Sequence, residues 1–174
     1  LALACSAGLF GFAGAAIGGD IAGTGAISRH ADARQSAPDF VGLDRWFNSA
    51  PLSIKDLRGK VVLVNFWATS CSGCVEEMPE IKKLHQQYGS KGLQIMAVAM
   101  SYDPPNYVLN YSESRQLPFK VALDTDGQAA KSFGDVKLTP TTFVIGKDGS
   151  ILKRYVGIPE FAAMHQLLEK ALAS

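Results

Sequence analysis

The sequence predicts an α/β domain in which buried strands alternate with amphipathic helices. Three observations favour this fold class. Short apolar runs of β-branched and aromatic residues alternate with segments of helical periodicity. A strand–turn–strand pattern stands near the C-terminus, and 174 residues suit one ordinary domain with an N-terminal extension. No internal repeat is visible, which argues against a repeat architecture.

The N-terminal segment, residues 1–19, contains no charged side chain. As a helix it would come close to the roughly 30 Å of a membrane's hydrocarbon core, so we expect an export or anchoring segment. It begins without Met or a basic region, so we expect truncation at its start, and a cleaved signal peptide and a retained anchor both fit. Residues 20–37 are small and polar without apolar periodicity, which predicts a flexible tether. The folded domain is then expected at 38–174.

The first clear strand–helix unit begins at residue 60. The run VVLVNFWA at 61–68 predicts a strand that is buried on both faces. Apolar residues at spacings of three and four then predict an amphipathic helix that ends near Gly89 and Gly92; they are Val75, Met78, Ile81, Leu84 and Tyr88. Pro79 falls inside this helix. Because the apolar stripe continues beyond it, we predict a kinked helix and not a shorter one.

The remaining elements follow the same alternation. We predict, in order, a strand at 93–101, a helix at 104–115, a strand at 119–123, a helical segment at 127–133, a hairpin of strands at 141–145 and 151–156, and a last helix at 160–173. Asp148 and Gly149 supply the hairpin turn. The last helix carries four apolar residues on one stripe: Phe161, Met164, Leu168 and Leu172.

Composition argues against several functions. With 17 basic and 16 acidic residues the formal net charge is +1, so no overall field attracts nucleic acid. Three cysteines cannot form a disulfide framework, and two of them, Cys71 and Cys74, stand in a C-x-x-C motif. The histidines His30, His85 and His165 are scattered singly, so we expect surface residues and no metal site.

The C-x-x-C motif lies where the first predicted strand meets its helix. Cys71 should therefore occupy the helix N-terminus, where free N–H groups and the macrodipole stabilise a thiolate. Cysteines in that position have pKa values lowered from about 8.5 to roughly 3.5–7.5. Cys74 lies one turn further on the same face, within reach of a disulfide. The motif predicts a redox pair in which Cys71 attacks and Cys74 resolves the mixed disulfide.

Two motifs together resemble the TlpA/ResA-type thioredoxin-like proteins. One is the pattern W-A-x-x-C-x-x-C-x-x-E-x-P at 67–79, and the other is T-P-T-T-F at 139–143. The resemblance covers residues 38–174. It implies a thioredoxin-like fold with a central mixed β-sheet flanked by helices, and a βα insertion between the C-x-x-C helix and a cis-proline loop.

The resemblance also implies roles for individual residues. The Thr139–Pro140 bond should be cis and lie against the cysteine pair, with the Thr139 backbone available to pair with a substrate strand. Glu77 matches the glutamate of the family's pattern and is a hypothesised proton acceptor for Cys74. A solvated carboxylate that the helix dipole favours is an equal alternative for Glu77. Trp67 is expected on the binding surface by family analogy.

Some positions depart from the family's relatives. Asn65 stands where thioredoxin has a buried acid, so proton transfer cannot rely on that position. Ser70 replaces the aromatic residue often found before the first cysteine. Ser72 and Gly73 provide neither the proline nor the histidine found in various relatives, so thiolate stabilisation rests on the helix end. We therefore expect a moderately reducing potential. We expect Phe66 in the core.

The residues and the resemblance together predict a protein disulfide reductase of the bacterial cell envelope, either periplasmic or on the outer face of the cytoplasmic membrane. Its substrate should be an exported protein with a disulfide or cysteine pair, and apocytochrome c is one candidate. We expect a membrane thiol electron donor, no bound cofactor, no nucleic acid and a monomer. Residues 102–126 belong to the inserted unit, where partner specificity is expected.

Two other functions stay open at this point. The two thiols could hold Cu(I) for oxidase assembly, although the motif offers no neighbouring Met or His to complete a site. A peroxiredoxin-like peroxidase is the second function. Against it, Thr69 stands only two residues before Cys71, whereas that family has T-x-x-C.

Overall fold

The computed structural model describes residues 35–40, 43 and 45–174. The strands in this part of the chain are β1 (Arg45–Trp46), β2 (Val61–Trp67), β3 (Leu93–Ala99), β4 (Lys120–Leu123), β5 (Thr141–Ile145) and β6 (Ile151–Val156). The α-helices in it are α1 (Ser72–Tyr88), α2 (Pro105–Ser114), α3 (Gln128–Ser132) and α4 (Phe161–Ala173), and short 3-10 helices lie at Lys55–Leu57 and Gly89–Lys91. The predicted export segment at 1–19, and the predicted tether up to residue 34, lie outside the described residues.

One mixed sheet with the strand order β1-β4-β3-β2-β5-β6 organises the fold. Strands β2, β3 and β4 run parallel, whereas β1, β5 and β6 pair antiparallel with their neighbours. Helices α1 and α2 join the parallel strands, as crossover connections require. The α/β class and the mixed sheet flanked by helices are confirmed.

Strand β2 lies inside the sheet and is buried along its whole length. Its side chains alternate between two apolar layers, with Leu63 and Trp67 on one face and Val64 and Phe66 on the other. Burying one such Leu, Val or Phe side chain contributes about 1.5–3 kcal/mol. The single polar residue of this strand, Asn65, is fully buried as well, and it matters for the site described below.

Helix α1 forms because one of its faces can be buried. The buried residues follow helical spacing along that face; they are Cys74, Glu77, Met78, Ile81, Leu84 and Tyr88. The helix continues through Pro79, as the unbroken stripe predicted, although a proline there removes a backbone hydrogen bond. Tertiary packing of the stripe on both sides of Pro79 offsets that loss.

Strand β1 is the one strand of the described range that the sequence patterns did not indicate. It has only two residues, which is too short for a visible alternation. Beyond it, the side chain of Asn48 continues the contact with the next strand. Its amide donates to the Phe119 carbonyl at 2.6 Å, and its carbonyl oxygen accepts from the Val121 N–H at 2.9 Å.

Two contacts in the described part of the chain lie just before residue 38. Ser36 forms a β-bridge with Ser150, and the Ala37 N–H donates to the Gly149 carbonyl at 2.8 Å. The end of the predicted tether therefore packs on the β5–β6 hairpin. The other predicted elements lie within about two residues of their expected bounds. Across the described residues, no helix has both the length and the apolar character that a membrane span needs.

Candidate active site

The cysteine pair lies at the turn that connects β2 to α1. Cys71 is the N-cap residue of α1 with an extended backbone, φ −91° and ψ 107°. Its N–H donates to the Ala68 carbonyl, and its own carbonyl accepts from the Val75 N–H, both at 3.1 Å. The buried strand thus delivers Cys71 to the start of the helix, as the position of the motif predicted.

Cys71 and Cys74 form a disulfide, with their Cα atoms 5.2 Å apart. The two sulfurs have different surroundings. Cys71 is half-buried, whereas Cys74 is fully buried in the core under α1. The Cys74 N–H donates to the Cys71 Sγ at 3.1 Å. A first-turn N–H aimed at this sulfur is the arrangement that stabilises a thiolate at a helix N-terminus.

The Thr139–Pro140 peptide bond is cis and lies next to the cysteine motif, as the resemblance implied. A Cβ placed on Gly73 would be 3.6 Å from Pro140 Cδ and 3.6 Å from two side-chain carbons of Ile158. Pro140 is buried and Thr139 is half-buried. Within the described residues, no backbone hydrogen bond of Thr139 is found, whereas the Pro140 carbonyl accepts from Gly157 N–H at 2.8 Å. The Thr139 backbone is therefore open to a partner strand.

Glu77 is buried on the inner face of α1, with only 1% of its surface exposed. The Asn65 side-chain amide donates to Glu77 Oε1 at 2.7 Å. Burial raises the pKa of Glu77 from 4.5 to about 7, and the hydrogen bond from Asn65 acts in the opposite direction by stabilising the charged form. The alternative of a solvated carboxylate is therefore wrong for Glu77. It does describe Glu76, which is exposed.

Trp67 does not lie where family analogy placed it. Its side chain is completely buried in the core layer that contains Cys74, and its ring packs against Tyr111 at a centroid distance of 5.1 Å. A side chain without exposed surface cannot contact a partner, so the prediction of Trp67 as a substrate-binding residue is wrong. Phe66 is also fully buried, which confirms its predicted place in the core.

Asp103 anchors the turn before Cys71 and was not identified from the sequence. Its carboxylate accepts from the Thr69 N–H at 2.6 Å and from the Thr69 hydroxyl at 2.5 Å. Asp103 is 2% exposed. Because α2 begins just after it, Asp103 ties the predicted insertion at 102–126 to the active-site turn. An Asp before Pro104 has no spacing pattern that would have revealed this contact.

Large apolar side chains are exposed around the cysteine motif. We call this set the apolar rim; its members are Tyr102, Tyr107, Leu138, Val156 and Ile158. The Tyr102 hydroxyl lies 3.5 Å from Thr139 Oγ1, and Val156 pairs with Thr141 directly after the cis-proline. A surface cavity of about 460 Å³ adjoins the rim, and its lining residues are Thr69, Ser70, Tyr107, Asn110, Tyr111 and Ser114. Through Ile158 the rim reaches Gly73, which lies between the two cysteines in the sequence.

The two histidines that the structure describes do not join the cysteines. His85 packs against the Phe119 ring, and His165 Nδ1 lies 2.8 Å from the Tyr88 hydroxyl. Within the described ranges, no group of three or more His, Cys, Asp or Glu residues is arranged to hold a metal ion.

A disulfide at a helix N-terminus, on a mixed α/β sheet and next to a cis-proline, defines the class of thioredoxin-fold thiol:disulfide oxidoreductases. Comparison with known proteins agrees. The family model described as Redoxin matches residues 32–168. The thiol-disulfide oxidoreductase ResA of Bacillus thuringiensis subsp. konkukian is 34% identical over 137 residues, which cover 78% of this chain and 76% of that protein.

A second ResA, from Bacillus subtilis, is 34% identical over 147 residues that cover 84% of this chain and 78% of the relative. The solution structure of a Neisseria meningitidis protein, provisionally described as a thioredoxin, is 41% identical with a TM-score of 0.72. It covers 79% of this chain and 90% of that one. The chain belongs to the Redoxin family and is a relative of the ResA thiol-disulfide oxidoreductases. Its activity is thiol:disulfide exchange with cysteine-containing proteins.

Proposed function

We propose that this chain reduces disulfides of exported proteins, with Cys71 as the attacking thiol and Cys74 as the resolving thiol. The observation that carries this assignment is the unequal burial of the two sulfurs. Only Cys71 has exposed surface, and its Sγ accepts the Cys74 N–H. The order of attack follows, because a partner disulfide can reach Cys71 but not Cys74.

The exchange proceeds in two balanced steps. The Cys71 thiolate attacks one sulfur of the client disulfide, so that the client's S–S bond breaks, a mixed disulfide forms and the other client sulfur leaves as a thiolate. Cys74 then loses its proton and attacks the Cys71 sulfur. The Cys71–Cys74 disulfide forms, and the second client sulfur leaves as a thiolate. Two electrons pass to the client, and the chain ends in the disulfide state of the structure.

Glu77 is the proposed proton acceptor for Cys74 in the second step. It lies three residues after Cys74 on the same buried face of α1. Its pKa, raised by burial to about 7, suits a group that exchanges protons near neutral pH. One of its oxygens is held by Asn65, and Oε2 has no hydrogen-bond partner among the described residues. That oxygen is available to take a proton.

The client would bind on the apolar rim as an extended segment. The backbone of Thr139 can pair with such a segment, and Pro140 lies between this loop and the cysteine motif. Exposed Tyr102, Leu138 and Ile158 then contact apolar side chains beside the client cysteine. These contacts fit a protein whose cysteine pair stands in an unfolded or extended region. Apocytochrome c before haem attachment is such a protein.

The reducing direction and the cell-envelope location belong to the same proposal. An oxidising compartment already forms disulfides, so a protein with this dithiol is useful there as a supplier of electrons. Ser72 and Gly73 place no fixed positive charge between the cysteines, which is consistent with a moderately reducing pair. Residues 1–19 would export or anchor the chain, and a membrane thiol donor would reduce it again.

A peptide client tests the proposal. The probe is a synthetic peptide with the C-x-x-C-H pattern of c-type haem attachment, oxidised to its disulfide and mixed with the reduced full chain. All variants carry Cys5→Ser, so that only the motif cysteines react. We expect Cys74→Ala to stop at a mixed disulfide between Cys71 and the peptide, detected by intact mass. Cys71→Ala should form none. Equal trapping by both variants, or by neither, would contradict the proposal.

A further inference from the structure

Three polar side chains form a continuous hydrogen-bonded line inside the core beneath the cysteine pair. The Asn65 Nδ2 donates to Glu77 Oε1 at 2.7 Å and to Thr142 Oγ1 at 3.0 Å. Each of the three residues is at most 1% exposed. The line joins the inner face of α1 to β2 and β5. Burying polar side chains in an apolar layer is costly unless they are hydrogen-bonded, and among the described residues the Asn65 carbonyl oxygen and Glu77 Oε2 have no hydrogen-bond partner.

The sheet fixes Asn65 in this position. Asn65 and Thr142 are directly paired residues of the antiparallel ladder between β2 and β5, so their side chains lie side by side on one face. Thr142 lies two residues after Pro140, in strand β5, which directly follows the cis-proline. Both hydrogens of the Asn65 amide nitrogen are used, one for each partner. The amide is therefore oriented with its donor side toward the carboxyl group.

We propose that Asn65, oriented by Thr142, is a positioning residue that holds the Glu77 carboxyl and stabilises its ionised form, so that Glu77 can accept the Cys74 proton near neutral pH. The inference rests on the proposed role of Glu77 in the second exchange step. It gives a function to the amide that stands where thioredoxin has a buried acid. Asn65 cannot accept the proton itself, but its N–H can favour the carboxylate that does.

The surroundings of Glu77 leave this amide as the main polar influence on the carboxyl group. Burial raises the pKa of Glu77, and the Asn65 hydrogen bond is the contact that lowers it. From β2 and β5 the neutral Asn65 and Thr142 face this region, while β3 and α4 contribute apolar side chains to the core around α1. On α1 itself the titratable neighbours are Cys74, the exposed Glu76, and Glu80, which pairs with Lys83 at 2.6 Å.

An aromatic disulfide that releases a coloured thiolate, dithiobisnitrobenzoate, separates the two exchange steps. With the reduced full chain in excess, Cys71 attacks the reagent and releases one thionitrobenzoate. Cys74 then gives its proton to Glu77 and attacks the Cys71 sulfur, which releases the second thionitrobenzoate and closes the disulfide. The second phase is unimolecular, so its pH dependence reports on Cys74 and its acceptor. Cys5→Ser is again the background.

We expect the second phase to rise with a midpoint near pH 7 in the parent chain. In Asn65→Leu the midpoint should rise by about one pH unit, because the carboxylate loses a charge-stabilising hydrogen bond. At pH 7 the rate should then fall about five-fold. Thr142→Val should shift the midpoint in the same direction by less, and Thr142→Ser, which retains the hydroxyl, should restore it. Ser112→Ala removes a buried hydroxyl that donates to the Leu109 carbonyl, and should leave the midpoint unchanged.

Carbon-13 NMR of the Glu77 carboxyl gives an independent titration, with the resonance identified by its loss in Glu77→Gln. If the Glu77 midpoint is the same in Asn65→Leu, Thr142→Val and the parent chain, the proposed role of Asn65 is wrong. In that case, loss of the pH dependence of the second phase in Glu77→Gln would still support Glu77 as the proton acceptor. Conversely, a second phase with the parent profile in Glu77→Gln would show that the proposed acceptor is wrong, and the role of Asn65 would fall with it. If Asn65→Leu does not fold, comparison of Thr142→Val with Thr142→Ser tests the role of Asn65 instead.

Discussion

The two sides of the first turn of α1 differ in their exposure to solvent. On the outer side, Cys71 is half-exposed and the apolar rim stands around it, with Pro140 and Ile158 close to Gly73. On the inner side, Cys74 and Glu77 are buried. Two residues, Ser72 and Gly73, separate the partly exposed sulfur, which is proposed to attack the client, from the buried sulfur, which is proposed to resolve the mixed disulfide.

This difference divides the stabilisation of charge between two sources. At the outer sulfur, the backbone N–H of Cys74 and the helix dipole supply a fixed positive potential that does not change with pH. On the inner side, the proposed proton acceptor is the titratable carboxyl of Glu77, whose pKa depends on burial and on the hydrogen bond from Asn65. The first exchange step should therefore depend on pH through Cys71 itself, and the second step through Glu77.

The largest expected effect comes from removing one sulfur at a time. Cys71→Ala should slow the first release of thionitrobenzoate by at least about a thousand-fold, because the remaining thiol is buried. Cys74→Ala should retain the first phase and lose the second. Stopped-flow absorbance measures both. A fast first phase in Cys71→Ala would remove the distinction between the two sides.

The next effect concerns stability and isolates the inner side. The folded chain keeps the Glu77 proton up to about pH 7, whereas the unfolded chain loses it near 4.5. The protonated carboxyl therefore contributes about 3 kcal/mol to the free energy of unfolding below pH 4.5. This contribution is lost as the pH rises through 7. Glu77→Gln should therefore gain about 3 kcal/mol on the parent chain between pH 4 and pH 8. Urea unfolding of the oxidised chains checks this, and an equal difference at both pH values would contradict it.

Removal of the Asp103 anchor should have a smaller effect. Asp103→Ala leaves the Thr69 N–H and hydroxyl without their acceptor, so we expect a loss of about 2 kcal/mol in the free energy of unfolding. Asp126→Ala is the matched control, because Asp126 accepts one exposed hydrogen bond from Gln128 and its loss should cost less than about 1 kcal/mol. Equal losses in the two variants would show that the contacts of Asp103 stabilise the chain no more than one exposed hydrogen bond does.

The smallest effect tests the outer side. A Cβ on Gly73 meets Pro140 and Ile158 only at 3.6 Å, an ordinary contact, and Ala favours the helix. Gly73→Ala should thus raise stability by about 0.5 kcal/mol. Gly157 has a φ of +83° and open space around it, so Gly157→Ala should cost about 1 kcal/mol through backbone strain alone. Urea unfolding compares the two, and a destabilised Gly73→Ala would mean that the loop contact is tighter than the structure indicates.

Most of the fold could be predicted because its elements carry strong local patterns. The largely apolar run of β2, the stripe of α1 and the turn at Asp148 and Gly149 each indicate their element directly. Strand β1 could not be found, because two residues show no periodicity. Asp103 could not be found either, since its role depends on a contact with Thr69 across 34 positions of sequence.

The burial of Glu77 and Asn65 could also have been predicted from the sequence. Glu77 stands between Cys74 and Ile81 at the spacing of the apolar stripe, which indicated burial and not solvation. Asn65 is the polar residue of an otherwise apolar strand, which indicated a buried partner. The error at Trp67 has the opposite origin. Analogy placed it on the binding surface, whereas the alternation of β2 places it with Leu63 in the core.

Alkylation of the reduced chain with iodoacetamide, followed at each cysteine by mass spectrometry across pH 5–10, measures the difference in reactivity between the two thiols. We expect Cys71 to react with a midpoint below about pH 7.5, and Cys74 to react at least about ten-fold more slowly than Cys71 at every pH. Cys5→Ser removes the third thiol. Equal rates at Cys71 and Cys74, with both midpoints at about pH 8.5, would contradict the proposed division between an attacking and a resolving thiol.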